Sequence, residues 1–211
     1  MTVNEDPAIL LTPPGRELLA RLAAEPDAGS LAVAERLRRE YPADLVATAM
    51  AQRELRLAAE AKFSRAAQML FTRAGYEQSS SEAIAGYRAG RLSRASRIAD
   101  LCCGIGGDLI ALAAASDVLA VDRDDTHARL ALHNAAVYGR AERVTAVVAD
   151  VRDVPLAGVD AVFIDPARRS GSGTASSRAR VYGCCGRAKT ASLSPISMTA
   201  PRRMTATRSL T

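Results

Sequence analysis

The strongest constraint on this chain lies between Ile98 and Asp108. There a short apolar run, Ile98-Ala99-Asp100-Leu101-Cys102, passes directly into Cys103-Gly104-Ile105-Gly106-Gly107-Asp108. A strand-length apolar run ending in closely spaced glycines reads as a strand-to-helix turn that a ligand can approach closely, because no Cβ stands in the way. The pattern then repeats. An apolar helix is expected through Ala115, and a second strand over 118–121. A helix over 126–138 follows, capped by Asp125 or Thr126 and stopped by Gly139, and then strands over 144–148 and 159–164. Strands separated by helices imply crossovers and a parallel sheet, with ligands beyond the carboxyl ends of the strands. The expected fold class is α/β, a partial Rossmann-like parallel sheet of about four strands.

Carboxylates stand at the end of every expected strand. Asp100 precedes the glycine turn, where it suits the ammonium of a methionine moiety better than a pyrophosphate. A dinucleotide fingerprint would also need a third glycine three residues after Gly106, where Leu109 stands. On charge, S-adenosyl-L-methionine fits better than a nicotinamide cofactor. Asp122, followed by Arg123, ends the second strand and can accept from ribose hydroxyls. Asp150 follows the third, where it can accept from an adenine amine while the N–H of Val151 serves a ring nitrogen. The fourth strand leads into Asp165-Pro166-Ala167-Arg168-Arg169. Asp165 and the backbone at Pro166 can hold a base nitrogen toward a methyl donor, and Arg168 with Arg169 can hold phosphate. Methyl transfer is an in-line displacement, so positioning supplies most of the catalysis.

The region before the sheet, 1–90, reads as a helical module. Thr12 before Pro13 and Pro14 caps a first helix, and Ser30 a second one ending at Tyr41. Asp44 caps a long third helix, on which Leu55, Ala59, Phe63, Ala66 and Leu70 share one face, with Gly75 as its end. Ser79 and Glu82 have capping-box spacing for another helix closed by Gly90. Arg53, Arg56, Lys62 and Arg65 read as a solvated face, with RNA contact as the sharper alternative.

The catalytic core is expected over 91–170. The segment 171–211 is Ser-, Thr-, Gly- and Arg-rich and has no strand-like run, so it is expected to be a disordered basic tail. That tail holds 7 of the 28 Lys and Arg residues and none of the 23 acids, so the net charge of +5 belongs to it. The vicinal pairs Cys102-Cys103 and Cys184-Cys185 lack the spacing of zinc ligands, and no metal is expected. No run is long and apolar enough to span a membrane and the start lacks a secretory signal, so a cytoplasmic protein is expected.

Taken together, Asp100-Leu-Cys-Cys-Gly-Ile-Gly-Gly-Asp108, Val121-Asp122, His133-Asn-Ala-Ala-Val-Tyr-Gly139 and Asp165-Pro166 resemble the class I methyltransferases. Within them the chain is similar to the trimethylguanosine synthase-like (RNA cap guanine-N2) branch and its bacterial relatives with a THUMP-like domain. The lead-in Lys62-Phe63 through Thr72, with Ser81-Glu82-Ala83-Ile84, shares the likeness, which spans roughly 40–170. The resemblance implies an S-adenosylmethionine-dependent methyltransferase acting on RNA. It assigns the methionine part to Asp100, Gly104, Gly106 and Gly107 with Cys102 in the same turn, the ribose to Asp122 beside Arg123, and the adenine to Asp150 and Val151. Asp165, Pro166 and Arg168 would face the substrate.

There are two departures. Where the cap enzymes have a Pro-Pro-Trp continuation, Ala167 and Arg168 stand here, which points away from a cap and toward tRNA, rRNA or an unknown substrate. The branch's sheet also continues with three more strands, whereas nothing after Ser170 reads as strand. A truncated or frameshifted product is therefore expected, and a catalytically impaired remnant that only binds the cofactor or a partner is the alternative. A basic tail serving as a nucleic-acid tether is a further one.

Overall fold

The computed structural model describes residues 6–166, together with the backbone of 180–183 and 202–204. The chain divides into two compact units, Met1–Glu77 and Gln78–Thr211.

In the first unit, helices α1 (Pro13–Ala24), α2 (Leu31–Leu37) and α3 (Ala43–Ala59) precede the short α4 (Arg73–Gln78). Thr12 and Ser30 cap as expected, their side chains accepting from the N–H groups of Gly15 and Val33. Helix α2 stops at Leu37, short of Tyr41. Pro42 takes the cap position of α3, leaving Asp44 in its first turn. The long third helix forms over only part of the expected length. It ends at Ala59, a 3-10 turn covers Ala66–Gln68, and Gly75 lies inside α4 rather than ending a helix.

All five residues of the expected helical face are nonetheless buried. Their burial comes from a segment folded back on α3. Gln52 donates Nε2 to Phe71 O at 2.6 Å and accepts from Phe71 N at 2.9 Å, and Arg56 Nε donates to Met69 O at 2.8 Å. Residues 52 and 56 are one helical turn apart, so their side chains satisfy the peptide groups of an extended segment alongside. Phe63, Phe71 and Tyr76 then pack ring against ring, one pair tilted and the other edge-to-face, with neighbouring centroids 5.9 and 6.2 Å apart. Of the expected solvated basic face, Arg65 is exposed, while Arg56 and Lys62 are engaged by the same contacts. Burial lowers Arg56 to about 10, and Lys62 Nζ donates to Tyr76 O at 2.6 Å.

The second unit contains α5 (Glu82–Gly90), β1 (Arg97–Leu101), α6 (Gly107–Leu112), β2 (Asp117–Asp122), α7 (Asp125–Val137), β3 (Val144–Val148) and β4 (Ala161–Ile164). Ser81 rather than Ser79 occupies the cap of α5, and Glu82 instead accepts a hydrogen bond from the Tyr138 hydroxyl. Asp124, not Asp125 or Thr126, caps α7 by accepting from His127 N.

The four strands are parallel in the order β4-β1-β2-β3, which bears out the expected Rossmann-like sheet. Ile98, Leu109, Leu112, Val118, Ala131 and Phe163 join one core cluster, and Ala99, Leu101 and Val121 a smaller one. The sheet extends further than the sequence suggests. The backbone of β5 (Arg180–Gly183) runs antiparallel to β4, and that of β6 (Arg202–Met204) antiparallel to β3. The absence of strands after Ser170 is thus corrected at those two places. The rest of the expected disordered tail lies outside the described residues.

Candidate active site

Strand order decides where a ligand can enter. The chain runs β1, β2, β3 in one direction and then returns to the other side of β1 for β4. The two connections diverge above β1 and β4 and leave a crevice at their carboxyl ends. Asp100 pairs across to Phe163 and Leu101 to Ile164, so the turn after β1 and Asp165 after β4 both emerge at this crevice.

The turn is bent by backbone hydrogen bonds. The N–H groups of Cys102 and Cys103 both donate to Val121 O, at 2.8 and 3.0 Å, and Cys102 takes a left-handed φ of 67°. Gly106 has φ 88°, and a Cβ there would lie 3.0 Å from the Cα of Ala131 on α7. Only glycine allows both that conformation and that approach. Gly104, with φ 54°, faces open space instead, so its backbone is accessible from the crevice. Asn134, fully buried on α7, donates Nδ2 to Ile105 O at 2.8 Å and holds the turn from behind.

Four carboxylates gather around this turn. Asp100 is 2% exposed, and its Oδ2 has no hydrogen-bond partner. Burial pushes its acid well above the ordinary carboxylate range, and the charges of Asp108, Asp122 and Asp165 push it further. Asp122 is tied into the backbone, Oδ2 accepting from Gly104 N at 2.9 Å and Oδ1 from Asp124 N at 3.0 Å. Asp108, in the first turn of α6, is raised by burial, with Arg88 pulling the other way. Arg88 on α5 is the cation among them. Its Nη1 lies 2.8 Å from Ser80 Oγ, 3.1 and 3.2 Å from the Asp108 oxygens and 3.2 Å from Asp165 Oδ2.

Other expected site residues stand apart from this cluster. Asp150 is held by its neighbour Arg152, which donates through Nη2 at 2.6 Å, Nε at 2.9 Å and its own N–H at 3.0 Å. Those bonds keep Asp150 well below the usual carboxylate range. Arg123 and Pro166 are exposed, Val151 is half-buried, and Arg168 lies outside the described residues. The half-buried Cys102 thiol is raised by burial and by Asp122, which suits a packed turn residue rather than a thiolate nucleophile. Sequence reasoning missed Arg88, one of several arginines between 88 and 97 with no local signal to single it out. Asp108 and Asn134 lay inside recognised motifs without an assigned role.

Residues 95–193 match the family model described as RNA cap guanine-N2 methyltransferase. That match likens this segment, somewhat under half of the chain, to a methyltransferase family. The matched segment begins just ahead of β1 and takes in the turn, the crevice and Asp165. Residues 5–59, in the first unit, match a domain of unknown function. A crystal structure from Porphyromonas gingivalis W83, described as a candidate methyltransferase, is similar at 26% identity over 46% of this chain, with a TM-score of 0.43. The match takes in 26% of that longer chain. Among the described residues no cluster of three or more metal-ligating side chains occurs, and no helix is long and apolar enough to cross a membrane.

Proposed function

We propose that the second unit binds S-adenosyl-L-methionine in the crevice above β1 and β4 and transfers its methyl group to a nitrogen of an RNA base. The observation that carries this reading is Asp100. A carboxylate buried with an unpartnered oxygen costs free energy unless something supplies the missing donor. With four carboxylates and one guanidinium in the cluster, a cationic ligand group is the natural complement. A methionine ammonium meets that need; a pyrophosphate would worsen the imbalance.

The residues present fit the cofactor. Asp100 would hold the ammonium, and the open backbone of Gly104 would admit the methionine part. Asp122 keeps acceptor lone pairs for ribose hydroxyls beyond the two N–H groups it already binds. Asp150 and Val151 are assigned to the adenine edge, where Asp150 must share its oxygens with Arg152. The bound cofactor supplies an electrophilic methyl group on a sulfonium. Asp165 and the carbonyl of Pro166 orient the acceptor by accepting from its N–H, so that the nitrogen lone pair lies in line with that methyl. Methyl transfer would exchange the S–CH3 bond for an N–CH3 bond, with neutral S-adenosylhomocysteine leaving and the proton of the alkylated nitrogen passing to water. Alignment, rather than acid strength, is the chemical contribution asked of Asp165.

RNA as the substrate rests on the description of the family that the segment matches, and Arg168 is assigned to its phosphate from its charge and its place just after Asp165-Pro166. Because Ala167 follows Pro166, the reading includes no aromatic stacking at that step. Titration calorimetry of the full chain with S-adenosylhomocysteine tests the proposal. Micromolar binding is expected, weakened about 100-fold by Asp100→Asn, the scale of losing one hydrogen bond to a charged group. A soluble, folded chain that does not bind would sink it. Binding without methyl transfer to any tRNA or rRNA would favour a cofactor-binding remnant.

A further inference from the structure

The arrangement around Arg88 asks for an explanation that cofactor binding alone does not give. Asp165 is the first residue beyond β4, past the last register pair of that strand with β1, Leu101 opposite Ile164. The sheet therefore does not fix its side chain. Among the described residues, the only group that holds it is Arg88 Nη1, at 3.2 Å. The same nitrogen holds Asp108 on α6 and Ser80 ahead of α5, so one atom joins α5, α6 and the end of β4. Asp100, deeper in the cluster, accepts nothing from Arg88, and its Oδ2 has no partner.

We propose that Arg88 is the positioning residue of this site, acting through Asp165 and Asp108. It fixes the acceptor-side carboxylate against the first turn of α6 while leaving Asp100 free for the ligand. The inference rests on the methyl-transfer reading above. Its physical basis is the separation of two carboxylates from a third. Without Arg88, Asp108 and Asp165 face each other and Asp100 with no cation between them. They would then take up protons or turn apart, and either change lowers the negative charge that the cofactor meets. The groups packed around this cluster are Ser80 from the segment before α5, Asp108 from α6, Asp100 from β1, Asp122 from β2, Asp165 after β4 and His127 from α7, whose Nδ1 lies 3.9 Å from Asp122 Oδ1. From α7, the Tyr138 hydroxyl is engaged with Glu82. Arg140, which follows α7, donates to Ile110 O.

All the contacts of Arg88 in this cluster come from Nη1, so a lysine ammonium could replace most of them despite lacking the guanidinium fork. That gives a test a merely structural role would not pass. S-adenosylhomocysteine is titrated into full-length wild type, Arg88→Gln and Arg88→Lys between pH 5.5 and 8.5. In parallel, carboxyl carbon NMR follows Asp108 in the ligand-free proteins.

Arg88→Gln is expected to move the acid limb of the affinity profile upward by about one pH unit, with Asp108 titrating higher and Arg88→Lys largely restoring both. A folded Arg88→Gln chain with both profiles unmoved would overturn the proposal. So would an Arg88→Lys chain that falls as far as Arg88→Gln. If wild type binds no S-adenosylhomocysteine at any pH, the methyl-transfer reading fails. The Asp108 titration in ligand-free protein then decides the role of Arg88 by itself.

Discussion

Asp100 and Asp150 stand at the ends of two parallel strands of one sheet and look equivalent in the sequence. Their surroundings are opposite. Asp150 is pinned on the surface by three donors of Arg152, and those bonds hold its carboxyl low. Asp100 is closed off from water, lacks a donor at Oδ2 and is pushed high by burial and by three like charges. One carboxylate is satisfied before any ligand arrives; the other is not. The difference shows where binding free energy can be gained. A ligand that brings a cation to Asp100 relieves a cost already present in the fold, whereas one that reaches Asp150 must compete with Arg152.

The largest expected effect that sharpens this contrast is Asp100→Asn in the ligand-free protein. Burial raises the Asp100 carboxyl above its unfolded value of about 3.9, so folding favours the protonated form. Its contribution is fully present below that unfolded value and is lost as pH rises through the raised folded value. Asp108, also raised, acts with the same sign. Denaturant unfolding from pH 4 to 8 should show wild type losing stability relative to Asp100→Asn. The gap at the upper end should be on the order of 2 kcal/mol, with a residual slope from Asp108. Parallel curves would mean that Asp100 is solvated and the contrast is false.

Asp122→Asn should have a smaller effect. Asn keeps only one acceptor oxygen, so either Gly104 or Asp124 loses its partner and the turn loosens. S-adenosylhomocysteine affinity should fall about tenfold, the scale of one net hydrogen bond, with melting temperature slightly reduced. The smallest effect is expected from Asp150→Asn, an affinity loss of no more than about threefold, because Arg152 already occupies those oxygens and the group is exposed. Calorimetry that ranked Asp150→Asn above Asp122→Asn would break the comparison and place the adenine contact at the centre of binding. The stability contribution of Asp150 has the opposite sign to that of Asp100. It is present above the unfolded carboxylate value and is lost as pH falls toward its depressed one.

Much of the second unit was legible in the sequence because its periodicities are local. Apolar runs such as Val144–Val148, three glycines between residues 104 and 107, and an aspartate at each strand end state strand, turn and crevice without reference to distant residues. The helical region was read less well. Leu55, Ala59, Phe63, Ala66 and Leu70 have helical spacing and are all buried, yet the helix ends at Ala59. Gln52 and Arg56 offer the next segment's peptide groups side-chain partners that compete with continued helix, and residue spacing does not reveal that competition. The two short antiparallel strands were missed for a similar reason. Val181 and Tyr182 sit in Ser-, Gly- and Arg-rich sequence, where composition gives no strand signal, and pairing with β4 supplies one.

By itself the sequence determined the parallel α/β sheet, the glycine turn and the acids along one end of it, because each follows from residues near in the chain. Only the tertiary structure decided which of those acids is buried without a partner. That depends on Arg88, a residue from a different helix, lying 3.1 Å from Asp108 and 3.2 Å from Asp165 while Asp100 is left buried without it. Burial and ion pairing are set by what packs nearby in space, and sequence neighbours do not report it.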